Sequence, residues 1–283
     1  CTDCRQNPTG LQTYLKNLKK EKDPLSNFRG MCYTESNSGT WHFCGIFPAM
    51  EQKVEGWVIM KKILFVASEA VPFIKTGGLA DVVGSLPKCF DKEYFDVRVM
   101  IPKYLCIKDK FLSNLTYVNH FYMDYLGQSR YVGILEYVYE GITFYFIDNE
   151  SYFWGDKPYG DWYYDLEKFS FFSQAALSAL PVIGWRPDVI HCHDWQTGLI
   201  PVYLKGRFGE GEFFRGIKSV MTIHNLKFQG VWDVKTIQRF SGLPDYFFTP
   251  DKLEAYKDGN MLKGGLVYAD AITTVSNTYA EEI

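Results

Sequence analysis

Residues 75–81 read Lys-Thr-Gly-Gly-Leu-Ala-Asp, shortly after an apolar, strand-like run that begins at Lys62. Glycines admit close backbone approach, the helix that follows offers its N-terminus, and Lys75 adds a point charge. These features suit a bound phosphate or diphosphate, with Gly77 and Gly78 as the backbone donors. The competing reading is a tight strand-to-helix turn with a solvated lysine, and composition alone splits the two evenly. The stretch is neither G-x-G-x-x-G nor a Walker A loop, so the nicotinamide and NTPase templates both fail.

Two further clusters end apolar runs in polar groups. In His191-Cys192-His193-Asp194-Trp195-Gln196, alternation turns His191 and His193 to one sheet face and Cys192 to the other. Asp194 then stands at the strand's mouth, and Trp195 offers a flat apolar wall for a sugar ring. The plainer alternative buries one histidine in the core and makes Asp194 the cap of helix 195–206. Two histidines and an aspartate packed this tightly seldom converge on one metal ion. The third cluster, Thr222-Ile223-His224-Asn225-Leu226 followed by Gln229-Gly230, repeats the pattern. Three of the five histidines thus lie at two strand ends, which favours a site built to hydrogen-bond a polyol. The loop 154–161, with Tyr159, either walls that site or is a packed surface loop.

The elements that must position these groups alternate along the chain. Strand 62–68 leads to helix 79–90 and strand 95–101. Runs 131–139 and 142–147, joined by Glu140-Gly141, read as a β-hairpin. Helix 165–180 precedes strand 189–193, helix 195–206 precedes strand 218–223, and helix 261–269 precedes strand 271–275. Such alternation implies an α/β fold, a doubly wound, mostly parallel sheet with ligands beyond the carboxyl ends of its strands.

With 283 residues, 47% of them apolar, the chain has ample material for a core. Its net charge of −3 gives no electrostatic case for nucleic acid or an anionic membrane. No stretch is long and apolar enough to span a bilayer. Cys89, Cys106 and Cys192 lie among apolar neighbours and read as reduced thiols of a cytosolic protein. Cys1-x-x-Cys4 lacks a second ligand pair at zinc spacing.

Residues 1–59 carry no helical or strand periodicity, and Met60-Lys61-Lys62-Ile63 looks like a bacterial start. The expectation is a leader translated in frame, against the plainer reading of a disordered extension. At the other end, the helix opening at Asn277 has no stop signal before Ile283, so a truncated domain over 60–283 is expected.

Taken together, K-T-G-G-L-A-D-V-V-G-S-L-P-K, H-C-H-D-W-Q-T-G-L, T-I-H-N-L-K-F-Q-G and K-G-G-L-V-Y-A-D-A-I-T-T-V-S resemble the bacterial glycogen synthase and plant starch synthase family, in its order and spacing. The resemblance spans about residues 60–283. It implies the N-terminal, Rossmann-like half of a twin-Rossmann (GT-B) glycosyltransferase that moves α-glucose from ADP-glucose to the non-reducing end of an α-1,4-glucan, glycogen or starch, with retention. It further implies no metal or other cofactor, and a bacterial cytoplasmic or plant plastid location. By position, Lys75, Gly77 and Gly78 would meet the donor phosphate, with Asp81 functional in the same motif. Asp194 and His224 would be the catalytic pair, with His193, Trp195 and Asn225 at the sugar and Tyr159 a looser match. The family's second domain holds most of the nucleotide pocket, so this half alone is expected to be inactive. The rival readings are a non-catalytic glucan-binding or regulatory half-enzyme, and a related transferase using another nucleotide sugar.

Overall fold

The computed structural model describes residues 60–283 and, ahead of them, the backbone of four short strands. These are Cys32–Glu35 (β1), Trp41–Cys44 (β2), Lys53–Val54 (β3) and Trp57–Val58 (β4), paired antiparallel as β1 with β2 and β3 with β4. The leader reading of 1–59 and the Cys1-x-x-Cys4 pair otherwise lie outside the described residues.

The central sheet begins with Lys61–Val66 (β5), a β-rich run that is buried from Ile63 onward. Phe95–Pro102 (β6) and Ile142–Asp148 (β9) pair parallel on one side of it. Val189–His193 (β10), Lys218–Ile223 (β11) and Ala271–Thr274 (β12) follow on the other side, also parallel. Numbered by their order along the chain, these six strands lie 3-2-1-4-5-6 across the sheet, the doubly wound order whose direction reverses between β5 and β10. A crevice outside the carboxyl ends of those two strands is therefore where a ligand belongs.

Thr116–Tyr125 (β7) and Gln128–Tyr139 (β8) extend the sheet antiparallel beyond β9. The β8–β9 hairpin matches the sequence reading, with Glu140 and Gly141 both at positive φ, as a tight hairpin turn demands. β7 has no counterpart in that reading. Its exposed residues are Thr116, Tyr117, Asn119, His120, Tyr122 and Asp124, and a register shift between Tyr117 and Asn119 breaks the alternation.

Helices Gly78–Ser85 (α1), Asp109–Leu112 (α2), Trp162–Ile183 (α3), Leu199–Lys205 (α4), Val234–Ser241 (α5), Met261–Tyr268 (α6) and Asn277–Glu282 (α7) connect the strands. The longest, α3, starts under an Asp161 cap that accepts from Tyr164 N–H and stops at Gly184 in the left-handed region. The expected helix 195–206 is split into a 3₁₀ turn over Trp195–Thr197 and then α4. Helix α6 lies against α4 at backbone distance, since a Cβ on Gly265 would sit 2.9 Å from Gly198 Cα. No described helix is long and apolar enough to cross a membrane.

Candidate functional site

One cavity of about 690 Å³ opens where the strand order reverses. Its walls come from the chain after β5 (Glu69), the turn into α1 (Thr76 to Leu79), the loop before α3 (Tyr159, Gly160), the end of β10 (Asp194) and the end of β11 (His224, Asn225). Four stretches distant in sequence are thereby brought to one place.

Asp194 sits in the left-handed region, with φ 55°, a strained setting for an aspartate that aims the carboxylate across to the neighbouring strand end. Its Oδ1 accepts from the N–H of His224 at 2.7 Å and of Asn225 at 3.4 Å. The capping alternative is not what forms, because the 3₁₀ turn after Asp194 has no side-chain cap. Burial pushes the Asp194 pKa up to about 7, although the two N–H donors pull it down.

Behind this wall stands a file of imidazoles. His191 and His193 share a face, as alternation requires, and stack with ring centroids 4.3 Å apart. His191 Nε2 bonds the Thr222 hydroxyl at 2.6 Å, which makes it the satisfied core histidine of the plainer reading. His193 Nδ1 lies 2.9 Å from His224 Nε2. Burial lowers the pKa of all three, to about 3 for His191 and about 4 for His224, so the file is neutral near pH 7. His224 lines the cavity, whereas His193 is fully buried beneath it and does not.

The glycine turn is organised by a residue the sequence reading passed over. The buried Glu69 carboxylate accepts from Thr76 N–H at 2.5 Å and from the Thr76 hydroxyl at 3.1 Å. The start of α1 at Gly78 faces the cavity with no side-chain cap. Lys75 and Asp81 are not among the lining residues. They pair with each other at 2.8 Å, each about half exposed.

Tyr159 lines the cavity and shares a 2.6 Å hydrogen bond with Ser68 Oγ. Its loop is clasped by a buried ion pair: Lys168 Nζ meets Asp165 Oδ1 and the Pro158 carbonyl, and Asp165 Oδ2 accepts from Gly160 N–H at 3.0 Å. Trp195 also lines the cavity. It is 2% exposed and packed against Trp162 and Phe169, so it forms a wall rather than a free stacking surface. Trp162 and Phe228 are the aromatics that border the opening more freely.

Besides Glu69, the sequence reading missed Thr76, Trp162, Asp165, Gln196 and Phe228 as lining residues. Thr76 and Gln196 lay within clusters already singled out. Phe228 lay within the quoted motif of residues 222–230, and Glu69, Trp162 and Asp165 are marked only by the folded chain. Among the described residues, no three His, Cys, Asp or Glu side chains are arranged to hold a metal ion.

Residues 62–283 match the model of the starch synthase catalytic domain. The chain belongs to that family. Similar curated proteins include the glycogen synthase of Lachnospira eligens, 67% identical over 224 residues, and that of Desulforamulus reducens, 47% identical over 222 residues. These alignments cover 79% and 78% of this chain but only 47% and 46% of the relatives, so the chain spans about half their length. Among solved structures, the catalytic domain of starch synthase IV from Arabidopsis thaliana, bound to ADP and acarbose, superposes with a TM-score of 0.68 at 30% identity. That superposition covers 79% of this chain and 46% of the other. The family and its glycosyltransferase fold, read from four motifs, are thus borne out.

Proposed function

We propose that residues 60–283 form the N-terminal half of a two-domain glycogen synthase, which transfers α-glucose from ADP-glucose to the 4-hydroxyl of an α-1,4-glucan with retention. The observation that carries this reading is the convergence of the turn 76–78, Asp194 and His224 on one cavity at the sheet's reversal point. The ADP-bound solved relative supports the choice of donor.

In this reading the glucose lies against Asp194 and His224 and the diphosphate against the start of α1. As the bond to the leaving group breaks, positive charge spreads over the sugar ring and negative charge gathers on the diphosphate. The α1 N-terminus stabilises the second. Asp194 at its raised pKa is partly ionised near neutrality, and its carboxylate form favours the cationic ring. The residues lining the cavity include Glu69, Asp165 and Asp194 but neither lysine nor arginine. The diphosphate therefore needs Lys75 to leave Asp81, together with cationic groups from outside residues 60–283. The reaction so read uses no metal, because these charges and the helix end do that work.

A nucleotide-sugar enzyme with Cys89, Cys106 and Cys192 free of disulfides fits a reducing cytoplasm. The cation-free lining is also what a non-catalytic glucan-binding half would show. One experiment separates the two. The chain is joined to the second half of its 67% identical relative and assayed for glucose transfer from labelled ADP-glucose to glycogen. Turnover that disappears in Asp194→Ala supports the enzyme. Glycogen binding without transfer from any nucleotide sugar refutes it.

A further inference from the structure

We propose that His193 is a positioning residue that fixes the proton of His224 on Nδ1, so that His224 meets the bound sugar as a hydrogen-bond donor. The sugar in this statement rests on the functional reading above, whereas the proton's place rests on geometry alone.

His193 is completely buried. Its ring stacks on Phe65 with centroids 5.5 Å apart and on His191 at 4.3 Å. Its own N–H donates to Thr197 Oγ1 at 2.7 Å, which holds the main chain. The ring therefore has one orientation, and its Nδ1 points at His224 Nε2, 2.9 Å away.

Two neutral imidazoles at this separation share a single proton, so one nitrogen donates and the other accepts. The opposite edge of His193 decides which. Its Nε2 is buried with no hydrogen-bond partner. If His193 carried its proton there, a buried N–H donor would be left unpaired, the rarer and costlier kind of orphan. With the proton on Nδ1 only a lone pair is left at that edge. His193 then donates to His224 Nε2, and His224 in turn must hold its proton on Nδ1.

That nitrogen makes no hydrogen bond among the described residues, and His224 lines the cavity. Asp194 fixes the His224 backbone through its N–H at 2.7 Å. The two neighbours divide the task. Asp194 places the residue, and His193 sets which way its ring hydrogen-bonds. A sugar hydroxyl facing Nδ1 is then met by a donor, leaving that hydroxyl's own proton free for another acceptor.

The test is long-range ¹H–¹⁵N spectroscopy of this chain with labelled histidine near neutral pH, the His224 signals being assigned by their loss in His224→Gln. The expected result is a proton on Nδ1 in both His224 and His193. In His193→Asn the amide stands where Nδ1–H stood and the His224 pattern persists. In His193→Leu the donor is gone, His224 is no longer held to one tautomer, and an Nε2-protonated population appears beside the Nδ1-protonated one. In the completed enzyme, His193→Leu lowers kcat/KM by about tenfold, the scale of one hydrogen bond, and His193→Asn recovers most of it. A proton on His224 Nε2 in the parent chain overturns the proposal, and so does an unchanged pattern in a folded His193→Leu. The spectra of the parent chain answer even if that variant does not fold. A completed enzyme inactive with every nucleotide sugar overturns the functional reading instead and leaves the tautomer result standing.

Discussion

Replacing Asp194 by asparagine should change how stability depends on pH, because the native carboxyl is held in an unusual state. Asp194 is only 8% exposed, and burial raises its pKa from 3.8 to about 7. Unfolding returns the group to water. Between those two values the native state keeps a proton that the unfolded chain releases, so stability falls as pH rises. The contribution is full below pH 3.8 and is lost as pH climbs through 7. At about 1.36 kcal/mol per unit over roughly three units, the loss is ~4 kcal/mol as an upper bound. The buried histidines act in the opposite sense. Their native pKa values lie below 6.5, so the unfolded chain takes up their protons first and the fold gains stability as pH rises towards 6.5. Comparing Asp194→Asn with the parent cancels that background, and the amide imitates the neutral carboxyl. The variant should therefore gain on the parent by up to ~3 kcal/mol between about pH 4.5 and 7.5. Urea unfolding followed by tryptophan fluorescence at several pH values across that interval reads the difference. A difference that stays constant refutes the claim that burial keeps this carboxyl protonated.

Lys168→Met should cost about 3–5 kcal/mol, because Asp165 then becomes an uncompensated buried charge and the Pro158 carbonyl loses its donor; chemical denaturation measures it. Gly230→Ala should cost about 3 kcal/mol, since φ is +63° there and a Cβ would stand 2.6 Å from the Trp195 ring. A melting temperature within a degree or so of the parent would contradict that. Lys75→Ala should leave stability within about 0.5 kcal/mol, its ion pair with Asp81 being exposed. In the completed enzyme the same change should cut kcat/KM for ADP-glucose by about tenfold or more. Unchanged turnover would remove Lys75 from the phosphate site.

The strand-end clusters were legible because polar residues interrupting apolar runs are conspicuous, and in a doubly wound sheet strand ends are where chemistry collects. Asp194 and His224 were found in this way, and alternation correctly paired His191 with His193. Glu69 was not found, because its partners are the Thr76 N–H and hydroxyl, in a turn that only folding brings to it. Asp165 and Lys168 read as ordinary helix charges. Nothing in their spacing reveals that they are buried together and hold the loop that carries Tyr159. Trp195 does line the cavity, but how little of its ring is exposed follows only from the enclosing Trp162 and Phe169. Lys75 and Asp81 lie six positions apart, outside the usual helical neighbour spacings, so their mutual pairing was not anticipated.

The near-contact of Gly198 with Gly265 reaches further than helix packing. Helix α6 starts by donating Met261 N–H to the Gly230 carbonyl and Leu262 N–H to that of Gln229. The same Asn260 that caps this helix also grips the Gln229 side chain. The level at which the segment behind His224 rests is thus set like a shelf on a bracket, and the bracket is as thin as two glycines allow. A methyl group at Gly265, which touches nothing a ligand would touch, should tilt that shelf. It would then register as poorer sugar transfer before it registered as unfolding.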